Sequence, residues 1–270
     1  MRTARVTVTA ALASAALLGL TACNGSDSAD GAKASAKAST SATPTPSPSV
    51  SKAPFADLSG PEIADKSLAA TRAAQTLRVK GQVLEDGKPM TLDLAITKSG
   101  DCAGSVSVAK EGSMKIIKNP TTLYFKGDAQ FFHNSLKGTP KAERDAVVKQ
   151  LADRWVKKAT TAADSKEISA MCDLDELLGE FGTISLARKG QETQLPAGPA
   201  FTLTNSSPDG DETYWVATQG EPFMLKASIA GKENGELNFS DFNKPVDTQA
   251  PADKDIVDGD KLGGGATDNA

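Results

Sequence analysis

Met90-Thr91-Leu92-Asp93-Leu94-Ala95-Ile96-Thr97 alternates apolar residues with polar or small ones at every step. A period of two puts Met90, Leu92, Leu94 and Ile96 on one face of an extended chain and the other four on the opposite face, so the stretch predicts a half-buried strand. Upstream, Leu77, Val79 and Val83 alternate with Arg78, Lys80 and Gln82, and Asp86-Gly87 supplies a hairpin turn. Downstream, Cys102–Val108, Ser113–Lys118 and Thr122–Lys126 continue the meander through short Gly or Asn-Pro turns. An antiparallel sheet organises the chain.

Ahead of the meander, Ser59-Gly60-Pro61 and then Glu62 to Gln75 read as a capped helix, with Ile63 and Leu68 on its apolar side. After it, Asp128 to about Phe181 reads as a helical insert. Phe131, Phe132 and Leu136 form one apolar cluster, and Ala142, Val147, Val148 and Leu151 another. Arg154-Trp155-Val156-Lys157 returns to the sheet. Ile168, Met171, Leu174, Leu177 and Leu178 make a further amphipathic stretch in which Asp173 is placed to cap. Strands are expected again at Thr183–Arg188, Ala200–Thr204, Tyr214–Thr218, Pro222–Ile229 and Glu236–Phe242. Residues 57–250 form one domain in this reading, and the acidic, Gly-rich residues 251–270 a flexible tail.

The N-terminus has its own logic. Arg2 and Arg5 precede an apolar run, Val6 to Leu20, that ends in Leu20-Thr21-Ala22-Cys23. Residues 1–22 have the layout of a secretory signal peptide. The cysteine after the small pair resembles a bacterial lipobox, which implies that Cys23 becomes an acylated N-terminus at the extracytoplasmic face of the cell membrane. Residues 23–56 are rich in Ala, Ser, Thr and Pro and bury too little to offset their ordering entropy. They read as a disordered tether, a passive spacer or a carrier of O-glycans. With Cys23 acylated, Cys102 and Cys172 are an even pair in an oxidising compartment, so a disulfide is expected, with two separate buried thiols as the alternative.

Composition excludes several functions. The formal net charge of −4, with only two Trp and two Tyr, provides neither the basic footprint nor the stacking platform of a nucleic-acid binder. The single histidine, His133, has no nucleophile motif to serve and reads as a surface or helix-cap residue. Asp173, Asp175 and Glu176 lack the glycine and spacing of a calcium loop, and Gly263-Gly264-Gly265 follows no strand that would make it a phosphate cradle. No catalytic residue, metal site or cofactor is implied. The chain reads as a non-enzyme, and as a monomer.

Together the lipobox, the Ser/Pro tether, the helix ending in Leu77-Arg78-Val79-Lys80-Gly81 and the long meander resemble the actinobacterial LppX/LprG-type lipoproteins of the wider LolA-like group. Tyr214 to Pro222 (Tyr-Trp-Val-Ala-Thr-Gln-Gly-Glu-Pro) and Asn238-Phe239-Ser240-Asp241-Phe242 before Pro245-Val246 add to the likeness, which runs roughly from Ile63 to Val257. The resemblance implies an α+β fold: a curved antiparallel β half-barrel with helices across its concave face. It also implies an apolar cavity between sheet and helices that holds acyl chains of lipids or glycolipids, and no catalytic residues.

Acyl chains offer only apolar surface, whose burial is worth roughly 25 cal/mol per Å² without directional contacts. The same side chains that line a cavity would otherwise fill a closed core. The candidate lining is the inward-alternating set Val79, Val83, Leu92, Leu94, Ile96, Val106, Met114, Ile116 and Phe125, with Phe223, Leu225 and Leu237 opposite. Leu136, Leu174, Leu177 and Leu178 are candidates for a helical lid. Ser105, Ser107 and Lys115 count against a very large cavity unless they mark the outer face. Two functions fit: a lipid or amphiphile carrier or chaperone of the envelope, or an interaction or sensing module with a closed core and a protein partner.

Overall fold

Ser59 starts the first helix by a reciprocal pair of hydrogen bonds. Its Oγ accepts from the Glu62 N–H (3.4 Å), and the Glu62 carboxylate accepts from the Ser59 N–H (2.7 Å). Two N-terminal donors that the helix cannot satisfy are thereby paired. These bonds from Ser59 also hold the Glu62 carboxyl below the usual carboxylate range. The helix, α1 (Gly60–Ala73), buries Ile63, Ala64, Ser67, Leu68 and Thr71. Thr71 Oγ1 donates to the Ser67 carbonyl (2.8 Å) and accepts from the Met224 N–H (2.9 Å), which fastens the helix to the sheet. The computed structural model describes residues 55–261 apart from 86, 180–183, 185, 208–209 and 232–233.

The meander follows as β1 (Thr76–Glu85), β2 (Lys88–Thr97), β3 (Cys102–Val108), β4 (Gly112–Lys118) and β5 (Thr122–Gly127). The insert comprises α2 (Ala129–Ser135), α3 (Lys141–Leu151), β6 (Trp155–Ala159), α4 (Lys166–Ala170) and α5 (Leu174–Gly179). Five strands come next: β7 (Arg188–Leu195), β8 (Gly198–Ser207), β9 (Gly210–Ala217), β10 (Met224–Gly231) and β11 (Gly235–Ser240). A short β12 (Ile256–Asp258) ends the described chain. All twelve strands share one open sheet in the order β12-β6-β5-β4-β3-β2-β1-β11-β10-β9-β8-β7. Every neighbouring pair is antiparallel except β12 and β6, which run parallel. At about 4.8 Å per strand the sheet would be on the order of 50 Å wide if flat, and twist makes so wide a sheet curl.

Register shows why one face is buried. A single cross-strand row reads Val257, Val156, Phe125, Ile116, Gly104, Leu94, Val79 and Phe239. The neighbouring row on the other face reads Lys126, Lys115, Ser105, Asp93, Lys80, Asn238 and Lys226. Ser105 and Lys115 therefore mark the outer face, where Asp93 accepts two hydrogen bonds from the Arg78 guanidinium (2.6 and 2.9 Å). On the inner face, α1 packs against β7, β9 and β10, while α2 packs against β4, β5 and α3. Side chains from both helical groups and the sheet join in one core cluster. The alternation predicts the antiparallel sheet, and the architecture is the α+β, curved and mostly antiparallel sheet with helices on one face that the resemblance implies.

Two expectations need correction. The strand expected over Thr183–Arg188 is absent at its described positions: Ile184 is irregular and Leu186 lies in a turn, and pairing starts at Arg188. Strand β7 is exposed along almost its whole length, so it carries no apolar alternation to reveal it. The flexible tail expected from 251 instead contributes β12, which pairs Val257 with Val156, and the Gly259 N–H donates to the Lys157 carbonyl (2.8 Å). Its three-residue length lies below what a periodicity argument can detect.

Candidate functional site

Asp128 fixes the position of α2. Its Oδ1 accepts from the Phe131 N–H (2.7 Å), while Oδ2 accepts from the Ser113 N–H (2.9 Å) and hydroxyl (2.7 Å). Burial opposes ionisation of this carboxyl, but the bonds from Phe131 and Ser113 together hold its pKa below the usual range. Gly112, at φ +110°, brings the β3–β4 turn so close that a Cβ there would collide with the Phe131 nitrogen and the Asp128 carboxylate. Helix and strand ends are thus locked at one corner.

From that corner α2 directs Phe131 and Phe132 toward the sheet. Their rings lie 5.2 Å apart, and each is within 6.4 Å of the Phe125 ring on β5. Helix α3 adds Val147 and Leu151, and the α4 region adds Ile168 and Met171. Between these helices and the floor formed by Met114, Phe125 and Val156 is a cavity of about 540 Å³. Core voids seldom exceed one water molecule, whereas ligand sites span roughly 300–1,000 Å³. Ser135, Lys158 and Glu167 are its polar lining side chains. Ser135, Glu167 and Met171 are exposed and form its rim. An adjoining cavity of about 240 Å³ is lined by Val106, Val108, Glu111, Gly112, Asn134 and Lys137, along with Met114, Phe131, Ser135 and Met171.

The residues expected to line one cavity fall into three groups. Met114 and Phe125 line the larger cavity, and Val106 and Met114 the smaller. Val79, Leu92, Leu94, Ile96, Ile116 and Leu237 are buried in the main core, and Val83 packs on it partly exposed. Phe223 and Leu225 are corrected to a separate cluster with Ala200, Ala217 and Trp215. The cause is a bulge between Met224 and Lys226, which shifts register against β9. Met224 and Ala227 join the main core, Leu225 joins the small cluster, and Lys226 lies over the Trp215 ring at 4.8 Å. Of the expected lid residues, Leu136 lines the larger cavity, Leu174 and Leu178 are core, and Leu177 packs partly exposed beside them.

The remaining cavity residues, Phe131, Phe132, Val147, Leu151, Ile168 and Met171, are visible in sequence only as apolar clusters of the insert. Nothing in their spacing distinguishes facing a hole from facing a filled core. Cys102 of β3 and Cys172, next to Met171, form a disulfide with a Cα–Cα distance of 5.5 Å. Both are fully buried, so the bridge pins the α4–α5 segment to the sheet beside the cavity. Asp173 Oδ1 accepts from the Asp175 (2.9 Å) and Glu176 (3.0 Å) N–H groups, which accounts for this acidic run as a helix start. His133 is exposed in the last turn of α2. No group of three or more metal-ligating side chains occurs among the described residues. Cys23, the tether before Phe55 and Gly263 to Gly265 lie outside the described residues.

No family model and no curated protein matches the chain. Among solved structures, LprF from Mycobacterium bovis is similar, with a TM-score of 0.50 and 13% identity over 72% of this chain and 97% of LprF. The lipoprotein LppX from Mycobacterium tuberculosis aligns with a TM-score of 0.46 and 16% identity over 70% of this chain and 97% of LppX. The fold is of the LppX/LprG type.

Proposed function

We propose that the chain binds a lipid or other amphiphile in the cavity beneath α2, α3 and α4, as a carrier or chaperone in the cell envelope. One observation carries this reading: a cavity of about 540 Å³ walled mainly by aromatic and aliphatic side chains, with polar groups at its rim. Burying about ten methylenes there would contribute on the order of 8 kcal/mol. That sum exceeds the lower estimates for the entropy lost on association. The acidic balance of the chain makes direct attraction to anionic lipid weak, so membrane attachment falls to acylated Cys23. The tether then lets the domain sample the extracytoplasmic membrane surface while the anchor retains it. This is a binding function without a chemical step.

Native mass spectrometry tests it, on the full chain carrying Cys23→Ser to prevent acylation, exported by a bacterium with its own envelope lipids. Extra masses that extract into organic solvent are expected. Leu136→Trp, which places an indole in the cavity wall, is expected to remove most of that mass while leaving the melting temperature within a few degrees. A bare protein mass that persists after incubation with those lipids would refute the carrier reading and turn attention to protein partners.

A further inference from the structure

The smaller cavity differs in chemistry from its neighbour. Met114, Phe131, Ser135 and Met171 stand in both walls, so the two are contiguous compartments. To these the smaller one adds Glu111, Asn134 and Lys137. Hydrogen bonds build its frame. Asn134 Nδ2 donates to the carbonyls of Glu111 (2.9 Å) and Lys110 (3.2 Å), and Gln130 Nε2 donates to the Lys110 carbonyl (2.7 Å). The β3–β4 turn is thereby tied to α2 on the polar side of the site.

Charge in this compartment is unbalanced. Lys88 Nζ donates to the Glu111 carboxylate at 2.5 Å, and this bond keeps that carboxyl below its ordinary range and ionised at neutral pH. Lys137 also attracts that carboxylate, so two lysines act on the one acid of this wall. Lys137 stands in the same wall and makes no close ion pair among the described residues, so its ammonium is available to a second anion. A neutral head gains nothing from that charge, and a cationic head is repelled by it.

Resting on the lipid-binding reading above, we propose that the ligand is an amphiphile with an acidic head, a carboxylate or a phosphate. The head sits beside Lys137 in the small compartment and the hydrocarbon chain lies in the large one. Met114 and Met171 are among the four residues that line both compartments, and their unbranched, adaptable side chains suit a seam between the two. The geometry thus assigns Lys137 as a specificity residue rather than an anchor of affinity.

Two probes of equal chain length test this: palmitate and hexadecanol, titrated below their aggregation concentrations into the full chain carrying Cys23→Ser. At low salt the wild-type site is expected to prefer palmitate by about 1.5- to fivefold, the range of an exposed charge pair. That preference should shrink toward 1 M salt, where the screening length is about 3 Å. Lys137→Glu should abolish or reverse it with hexadecanol affinity unchanged, and Lys137→Arg should retain it. Equal affinity for both probes in the wild type, or a preference that Lys137→Glu leaves intact, overturns the acidic-head assignment while the carrier reading stands. Failure of the wild type to bind either probe overturns both.

Discussion

Replacing both Cys102 and Cys172 with Ala should lower the melting temperature by about 10 °C. The bridge closes a loop with a sequence separation of 70 residues. The loop-entropy relation puts the lost constraint on the unfolded chain at about 15 cal/mol/K, or about 4 kcal/mol at 25 °C. At roughly 2.1 cal/mol/K per residue, unfolding of a domain of this size carries on the order of 0.4 kcal/mol/K. The quotient is the stated shift. Full burial of both cysteines makes it a lower estimate, since the substitutions also remove packed sulfur atoms. Calorimetry of the oxidised wild type, the reduced wild type and the double variant checks it. Reduced wild type should melt well below the oxidised protein, and the double variant somewhat lower still, because it also lacks the packed sulfur atoms. A drop of less than about 3 °C in both would refute the reasoning, because neither loop closure nor the buried contact would then be contributing. The same variant should retain less lipid. Helices α4 and α5 span only five and six residues, too short to persist without tertiary support, and they carry one wall of the cavity.

Asp128→Ala should cost about 1–2 kcal/mol at pH 7, the usual value of an N-cap. The folded pKa lies below the ordinary value, so this stabilisation is complete above about pH 4, the unfolded value, and is lost as pH falls through the lower folded one. Urea unfolding at pH 7, 5 and 3 should show the gap between wild type and variant closing only at the acid end; a gap independent of pH would mean that the ionised carboxylate is not its source. Ending the chain after Pro251 removes β12 and uncovers the edge of β6. Size-exclusion chromatography should then show association through that edge, and an unaltered monomer with an unaltered melting temperature would show β12 to be dispensable.

Reading the sheet from sequence works where burial is one-sided. From Met90 to Thr97 of β2 and from Ser113 to Ile116 of β4 each inward residue is apolar and each outward one polar or small, so period two reveals both the strand and its face. The method fails where that contrast is missing. Strand β7 has no buried face, and at the β10 bulge an extra residue reverses the alternation, which sent Leu225 to the wrong side. The helical insert was legible as amphipathic segments, and the part played by each segment was not.

The chain's local chemistry by itself determined the antiparallel meander, the caps at Ser59 and Asp173, and the pairing of Cys102 with Cys172 as the expected disulfide. All of these depend on neighbours in sequence or on a count of residue types. Tertiary structure decided where the apolar insert leaves space unfilled and which charged side chain stands beside that space. Phe131, Val147 and Ile168 would look the same in a closed core. A cavity is a property of how helices dock on a curved sheet, set by distances between elements that no periodicity records.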